Sequence, residues 1–506
     1  MPRLRYGNAP MAADDILDLL VIGGGVNGAG VVRDAAGRTV DGRGLKVALL
    51  EAGDLGGATS SASTKLIHGG LRYLEFYQFA LVRKALAERE VILRAAPHIS
   101  WPMPFLLPHE PHLRPAWMIR AGLFLYDNLA RRKEVPGSST VQLRKDEAGP
   151  AFDRHLTRAF RYWDGWIDDA RLVLLNARDA QARGATIVTR DPVTTTRRTD
   201  FGWEVATASG RRFATRQLLN CTGPWAEQVA RNLMGVNDAP RLSLVQGGHI
   251  VTRKLNRTAD AWMLQQPDGR IIFVIPYEGD YSLIGTTELP VEEPSAKALT
   301  QPEEQYLLDA VNRNLAKPIT ADDIVHRFAG VRPLVLEEGK DARETTRDWK
   351  LVRHDGAAAM TVIGGKITTY RLLAEAVLKQ LFPGTKRWTH NAVLPGGDIP
   401  RTRATVQADF AQWLVTLKAR HYLYAPQIVQ RMARLYGTET DALLTNGLGA
   451  NLGGIFEAEL QHMQDHEWAT TAEDILWRRT KMGLHLDAKA KARVSAFFGE
   501  RAPVSA

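Results

Sequence analysis

The stretch LLVIGGGVNGAG, residues 19–30, decides how this chain is read. A continuous apolar run meets glycines and then a helical pattern, which gives a buried parallel strand, a tight turn and a helix. The glycines fall at Gly23, Gly25 and Gly28. The first lets the strand turn, the second lets backbone approach a pyrophosphate, and the third lets helix and strand pack closely. Free N–H groups at the helix start then face the phosphates. LKVALLE, residues 45–51, reads as the next strand. Its terminal acid, Glu51, suits a free ribose hydroxyl better than a 2′-phosphate. Far downstream stands a second unit of this design, VIGGKITTYR, residues 362–371, with Gly364, Gly365 and Lys366 before a helix start. One such turn fits any dinucleotide protein. Two fit a flavin enzyme whose FAD is held at both ends.

Working outward, ATSSASTKLIHGGLRYLE, residues 58–75, follows Glu51 almost at once. Thr59, Ser60, Ser61 and Ser63 offer hydroxyls where a second phosphate passes, and His68-Gly69-Gly70 brings backbone close to something flat. The bland reading is a Ser-rich loop that caps the next helix. Residues 69–96 read as one long helix, stopped by Pro97. From 185 to 223 the pattern becomes short strands, ATIVTR, WEVATA and RRFATRQLLN, turned at Ser209-Gly210. The strand then runs into CTGPW, residues 221–225, where Thr222 and Gly223 give another backbone approach and Pro224 suits a first helical position. LSLVQGGHIVT, IIFVIPYEGD and YSLIGTTE, within 242–288, read as an antiparallel sheet inserted into the nucleotide-binding fold. Residues near 382–400 form a Pro- and Gly-rich linker, and the pattern beyond is helical, with 473–485 one candidate helix.

The fold class is therefore α/β: a Rossmann-like, glutathione-reductase-like FAD-binding fold with an inserted antiparallel substrate sheet and a C-terminal α-helical domain. The expected division is an extension over 1–16, a discontinuous FAD domain over 17–395 with inserts at about 75–165 and 235–330, and a helical domain over 396–506. With 506 residues, 45% apolar and 24% charged, two or three domains are expected. The single cysteine, Cys221, excludes a disulfide framework and fits a reducing compartment. No cluster has metal-ligand spacing, so no metal is expected. No apolar run is long enough for a spanning helix, and the first residues lack the apolar core of a signal peptide. A net charge of +9 admits an anionic lipid, an anionic small substrate or nucleic acid. The cations are scattered and form no basic tail, so nucleic acid is not expected.

SSASTKLIHGGLRYLE, with GGGVNGAG, AEREVILRAAPHI, PHLRPAWMIRAGLFLYD, CTGPW, GVRPL and GGKITTYR, resembles the FAD-dependent glycerol-3-phosphate dehydrogenases, the aerobic respiratory bacterial kind above all. The resemblance is dense from 17 to about 400 and looser beyond. It implies hydride transfer from carbon 2 of glycerol 3-phosphate to FAD, giving dihydroxyacetone phosphate. It implies electrons passed to membrane quinone by a cytoplasmic homodimer lying on the inner face of the membrane. Such a site needs cations for a phosphate dianion, an acceptor for the hydroxyl proton, and charge near the reduced ring.

The planar fork of Arg332, in GVRPL, suits the phosphate or the reacting hydroxyl, and Pro333 beside it suggests a bend. Lys366 stands at a helix start, where it serves the flavin ring or the phosphate, and Thr368 suits a helix cap. The resemblance places Arg72 and Tyr73 in the substrate pocket. Neighbours on a helix point about 100° apart, so one of them belongs behind the other. His249, in QGGHIV, is the preferred base and His68 a flavin contact, both also candidates for proton handling. Leu66 joins the cofactor contacts, and the backbone of Val193 is placed against the adenine, as in relatives. Residues 111–133 carry Trp117, Met118, Ile119, Leu123, Phe124, Leu125 and Tyr126 and a basic end at Arg131, Arg132 and Lys133. This suits either a membrane interface or a core helix with a basic last turn. Three other readings stay open: an oxidase using O2 with release of peroxide, an FAD-dependent amine or amino-acid oxidase, and a non-enzymatic flavoprotein.

Overall fold

The computed structural model describes residues 16–110, 113–236, 239–255, 258–335, 348–354 and 356–500. The expected N-terminal extension lies outside them, apart from Ile16.

The core of the first sheet is parallel, in the order Thr186–Val188, Val47–Leu50, Leu17–Ile22, Arg212–Asn220, Ala359–Ile363. Val47–Leu50, residues 19–22 and the Leu218-Leu219 end of Arg212–Asn220 are apolar and buried, as the centre of a parallel sheet requires. Leu17–Ile22 and Ala359–Ile363 flank Arg212–Asn220. The two Gly-containing turns and Cys221-Thr222-Gly223 therefore sit side by side at one edge, where the parallel strands end. A ligand binds at that edge in open α/β sheets. The helices Val26–Ala36, Asp169–Ala182 and Tyr370–Leu381 pack against the sheet around Val31, Val32, Val173, Leu373 and Val377. The strands Val193–Thr199, Gly202–Thr207 and Lys350–His354 extend it antiparallel.

The second sheet has ten strands. Its long antiparallel pairs are Leu242–Arg253 with Ile324–Val335 and with Tyr281–Gly285, Ile271–Tyr277 with Tyr281–Gly285, and Ser100–Pro108 with Arg158–Ile167. One face packs on Leu106, Trp262 and Ile284, the other on Phe105, Met263 and Leu283. The short strand Leu66–Ile67 joins the Ser/Thr-rich loop to this sheet. The C-terminal helices, Val406–Arg420, Pro426–Tyr436, Glu457–His466 and Ala488–Glu500, enclose their own core around Phe410, Met432 and Leu460. The linker ahead of them is tightly packed: a Cβ at Gly397 would lie 2.4 Å from the Ala95 carbonyl oxygen.

Three local expectations change. The segment 69–96 is not one helix. Leu71–Phe76 is a 3-10 turn between left-handed Gly70 and Tyr77, and the α-helix runs from Phe79 to Ala95. Arg332 is on no bend: it lies inside the twelve-residue strand Ile324–Val335, paired with Val245. Pro333 is tolerated because, among the described residues, that strand pairs with the Leu242–Arg253 strand alone. Segment 473–485 splits into the π-helical turn Asp474–Arg479 and the 3-10 turn Met482–Leu484, broken by Lys481 at φ 56°.

The helix Phe79–Ala95 also buries the charged residues Glu88, Arg89 and Glu90. Arg371 holds Glu88 at 2.5 Å, and Arg89 holds Asp164 at 2.8 Å. Asp164 accepts from Tyr126, whose hydroxyl oxygen takes the N–H of Gly69 at 2.9 Å. AEREVILRAAPHI, PHLRPAWMIRAGLFLYD and GGKITTYR are thus joined by buried pairs that support the His68-Gly69-Gly70 turn. The helix Ala116–Asn128 divides its apolar side chains. Leu123 and Tyr126 are buried, whereas Trp117, Phe124 and Leu125 are exposed, Trp117 by 71%.

Candidate active site

A cavity of about 1190 Å³ opens where the parallel strands end and continues beneath the second sheet. Its first wall is backbone. Gly23 has φ +108°, and a Cβ there would lie 2.6 Å from the carbonyl oxygen of Cys221. A Cβ on Gly28 would lie 1.9 Å from the Gly23 oxygen, so only glycine lets this helix sit so close to its strand. Gly23 and Gly25 line the cavity, while Gly28 stands behind them. Ser60 Oγ accepts from the Val26 N–H at 3.0 Å. The Glu51 carboxylate accepts from Gly24 and Gly53 at 2.6 and 2.7 Å and lines the same end. Burial pushes its pKa up, against those N–H contacts.

The second turn is tied to the first by Asn27, which sequence reading passed over between two glycines. Its Nδ2 donates to the Gly364 carbonyl at 3.0 Å. Asn27 lines the cavity, and its Oδ1 is buried with no hydrogen-bond partner. An orphaned acceptor between two phosphate-binding turns points to a ligand group that donates to it. Gly364, Gly365, Lys366, Thr368, Thr222, Gly223 and Val193 complete this wall. Thr368 is not a cap: its hydroxyl accepts from the His68 N–H at 3.2 Å, and no side chain caps the helix that follows.

The Ser/Thr segment is an anchored loop. Asp169 accepts from Ser63 Oγ and Lys65 Nζ, both at 2.7 Å, and Thr59 Oγ1 donates to the Val331 carbonyl at 2.6 Å. Thr59, Ser60, Ser63, Leu66 and His68 line the cavity, but the hydroxyl protons of Thr59 and Ser63 are already donated to the protein.

The other end is built of side chains. Arg332 Nη2 donates to Thr286 Oγ1 at 3.0 Å, with Glu288 3.9 Å from Nη1. Gly247 leaves the room: a Cβ there would lie 2.4 Å from Nη2. Lys366 Nζ stands 3.8 Å over the Tyr73 ring, a cation–π contact. Tyr73 lines the cavity and Arg72 does not. The Arg72 guanidinium stacks on Phe76 at 5.9 Å instead. His249 is buried, stacks on Phe328 at 4.9 Å, and pairs through Nε2 with Thr64 Oγ1 at 3.0 Å. Burial, then the cations Arg332 and Lys65, hold its pKa well below the usual imidazole value. His249 is therefore a neutral ring. His68 meets Phe273 edge-on at 6.5 Å. Arg270, Phe273, Thr286 and Glu288 also line this end and went unsingled in the sequence. The signals were present in PDGR at a hairpin turn and in YSLIGTTE, but only the sheet register brings them here. Among the described residues, no three His, Cys, Asp or Glu side chains gather as a metal site.

The chain matches the family described as FAD dependent oxidoreductase over residues 18–371. It belongs to the FAD-dependent oxidoreductases, in the branch of the glycerol-3-phosphate dehydrogenases. Residues 387–501 match the C-terminal domain of alpha-glycerophosphate oxidase. The chain is 44% identical to the aerobic glycerol-3-phosphate dehydrogenase of Escherichia coli, covering 96% of this chain and 97% of that one. It is 47% identical to D-erythritol 1-phosphate dehydrogenase of Brucella abortus, covering 96% and 99%. The Bacillus halodurans glycerol-3-phosphate dehydrogenase, solved with FAD, superposes with a TM-score of 0.73 at 25% identity over 96% of this chain and 95% of that one. FAD is the cofactor of this oxidoreductase. The glycine cradle and the orphaned Asn27 oxygen fit it.

Proposed function

We propose that this chain oxidises glycerol 3-phosphate to dihydroxyacetone phosphate and passes the electrons to membrane quinone. FAD, when bound, supplies the two-electron acceptor for the hydrogen on carbon 2. In this reading Gly23, Gly25 and Gly28 shape the pyrophosphate turn, Glu51 takes the ribose, and Val193 stands at the adenine. Thr59, Ser60, Ser63, Leu66, Thr222, Gly223, Gly364, Gly365 and Thr368 pass along the rest of the cofactor, with His68 near its ring. Arg332 and Lys366 hold the phosphate dianion, and Tyr73 closes the pocket against the Lys366 ammonium. Arg72 acts from behind, through the 3-10 turn. His249 takes the hydroxyl proton, as the buried imidazole that lines the cavity beside Arg332, with Nε2 paired to Thr64 Oγ1.

The observation that carries the reading is the convergence of Arg332, Lys366 and neutral His249 on one cavity with the glycine turns. A phosphate and a secondary alcohol need that set. One carboxylate, the charge on an amino acid, would not need both cations.

The exposed Trp117, Phe124 and Leu125, with Phe76 and Tyr77 on the adjoining turn and Arg131 and Lys133 beyond, support peripheral docking on the inner face of the membrane. No helix among the described residues is long and apolar enough to cross a membrane. A homodimer belongs to the same proposal.

A second substrate has an observation of its own, the Brucella abortus relative at 47% identity. D-erythritol 1-phosphate presents a phosphate and a secondary alcohol on a longer chain. Turnover with a quinone analogue, run on both phosphates, decides: higher kcat/KM for glycerol 3-phosphate supports the proposal, and the reverse order replaces it. Oxygen uptake with peroxide release at a rate matching quinone reduction would make the chain an oxidase.

A further inference from the structure

The cofactor cavity has a wall that the FAD-binding module does not supply. Arg478, in the π-helical turn Asp474–Arg479 of the C-terminal helices, lines it beside Gly53, Asp54 and Arg190. This is the end marked by Glu51 and Val193.

The contact is held from both sides. Arg479 Nη1 and Nη2 reach the two oxygens of Asp54 at 2.7 and 2.8 Å, and Arg478 Nε reaches Oδ2 at 2.6 Å. The side chains of Arg479 and Asp54 are only 2% and 3% exposed. From the other direction, Arg190 Nη2 reaches Asp474 at 2.5 Å while its own N–H donates to the Gly53 carbonyl at 2.9 Å.

Asp54 lies in the loop that leaves Glu51. Gly53, Gly56 and Gly57 make that loop costly to order. It nevertheless carries the Gly53 N–H to Glu51 and the Gly56 N–H to the Gly24 carbonyl, at 2.7 and 2.9 Å. A buried carboxylate held by two arginines is a fixed point for such a loop.

We propose that the π-helical turn is a clamp on the adenosine end of the FAD site. It pins the loop 51–57 through Asp54 and closes the wall with Arg478, so docking of the C-terminal segment and FAD binding stabilise each other. Such coupling is reciprocal and is typically worth about five- to 150-fold in affinity. Arg479 is a positioning residue in this scheme, since it acts through Asp54. The inference rests on FAD as cofactor and is independent of which alcohol is oxidised.

The test uses the full chain stripped of FAD and retitrated with it, followed by flavin fluorescence. Arg478→Gln is expected to weaken FAD by about tenfold, together with a lower apo-protein melting temperature from the ion pairs it loses with Asp54 and Asp474. A merely structural arginine would lower that melting temperature and leave FAD affinity as it was. In the wild type, FAD is expected to slow amide hydrogen exchange across 474–485, which follows from reciprocity and needs no variant to fold. FAD affinity for Arg478→Gln equal to wild type, or exchange at 474–485 indifferent to FAD, overturns the clamp.

Discussion

At the pyrophosphate end of the cavity the wall is main chain: Gly23 and Gly25 from one strand–helix turn, Gly364 and Gly365 from another, joined by Asn27. At the other end it is side chain: Tyr73, His249, Arg332 and Lys366, carried by a 3-10 turn, two strands of the second sheet and the start of a helix. The first end needs the absence of Cβ atoms, within a few residues of one another. The second needs charges brought together from across the chain, each supported by a neighbour with no part in chemistry, as Gly247 supports Arg332 and Gly285 supports His249. A backbone site tolerates change in side chains but none in shape, whereas a side-chain site is the reverse.

That contrast can be broken or sharpened by mutation. Arg332→Ala is expected to lower kcat/KM for glycerol 3-phosphate by about a thousandfold while FAD stays bound. Flavin absorbance and steady-state rates together check this, and loss of FAD would give Arg332 to the wrong end. Gly28→Ala puts a methyl against the Gly23 carbonyl. It is expected to cost about 3 kcal/mol and to release FAD, seen as a lower melting temperature and a colourless protein. His249→Asn is expected to slow flavin reduction by about a hundredfold without loss of FAD. Because His249 is held neutral, the wild-type rate should show no limb near pH 6.5 from this ring.

Away from the cavity, Trp117→Ser with Phe124→Ser is expected to reduce sedimentation with anionic vesicles, at unchanged turnover of a soluble acceptor. The smallest effect is on acid stability. His98 and His249 are both held well below the usual imidazole value by burial. Unfolding below pH 6.5 takes up protons that the native state refuses, so stability falls with falling pH by about 1.4 kcal/mol per unit for each ring. Glu278, pushed up to about 7 by burial, has the opposite sign and offsets one of them. Melting temperatures at pH 7 and pH 5 check the net fall.

The contrast also explains what was legible in the sequence. Gly23, Gly25, Gly28 and Glu51 announce themselves because their requirement is local, and a dinucleotide-binding fold follows from them, with the second unit at Gly364-Gly365 turning the reading to FAD. Lys366 was legible from its place after Gly364-Gly365 at a helix start, whereas GVRPL alone does not say which cavity Arg332 enters, and its role leaned on the resemblance. Arg270 and Thr286 stood in recognisable turn segments but could not be placed, because they flank paired strands whose register carries them to the cavity. Arg478 was invisible because its partner, Asp54, lies on a distant loop. The helix expected over 69–96 failed for a reason of shape: left-handed Gly70 and Tyr77 turn LRYLEF into a 3-10 segment that aims Tyr73 inward and Arg72 aside.

The most direct measurement is rapid mixing without oxygen, following flavin absorbance with glycerol 3-phosphate and with the same compound deuterated at carbon 2. If the reactive end is built for this alcohol, the flavin bleaches within one turnover and the deuterated substrate bleaches it more slowly, while glycerol leaves it yellow. A flavin that stays oxidised with glycerol 3-phosphate would contradict the assignment, whatever the glycine turns hold.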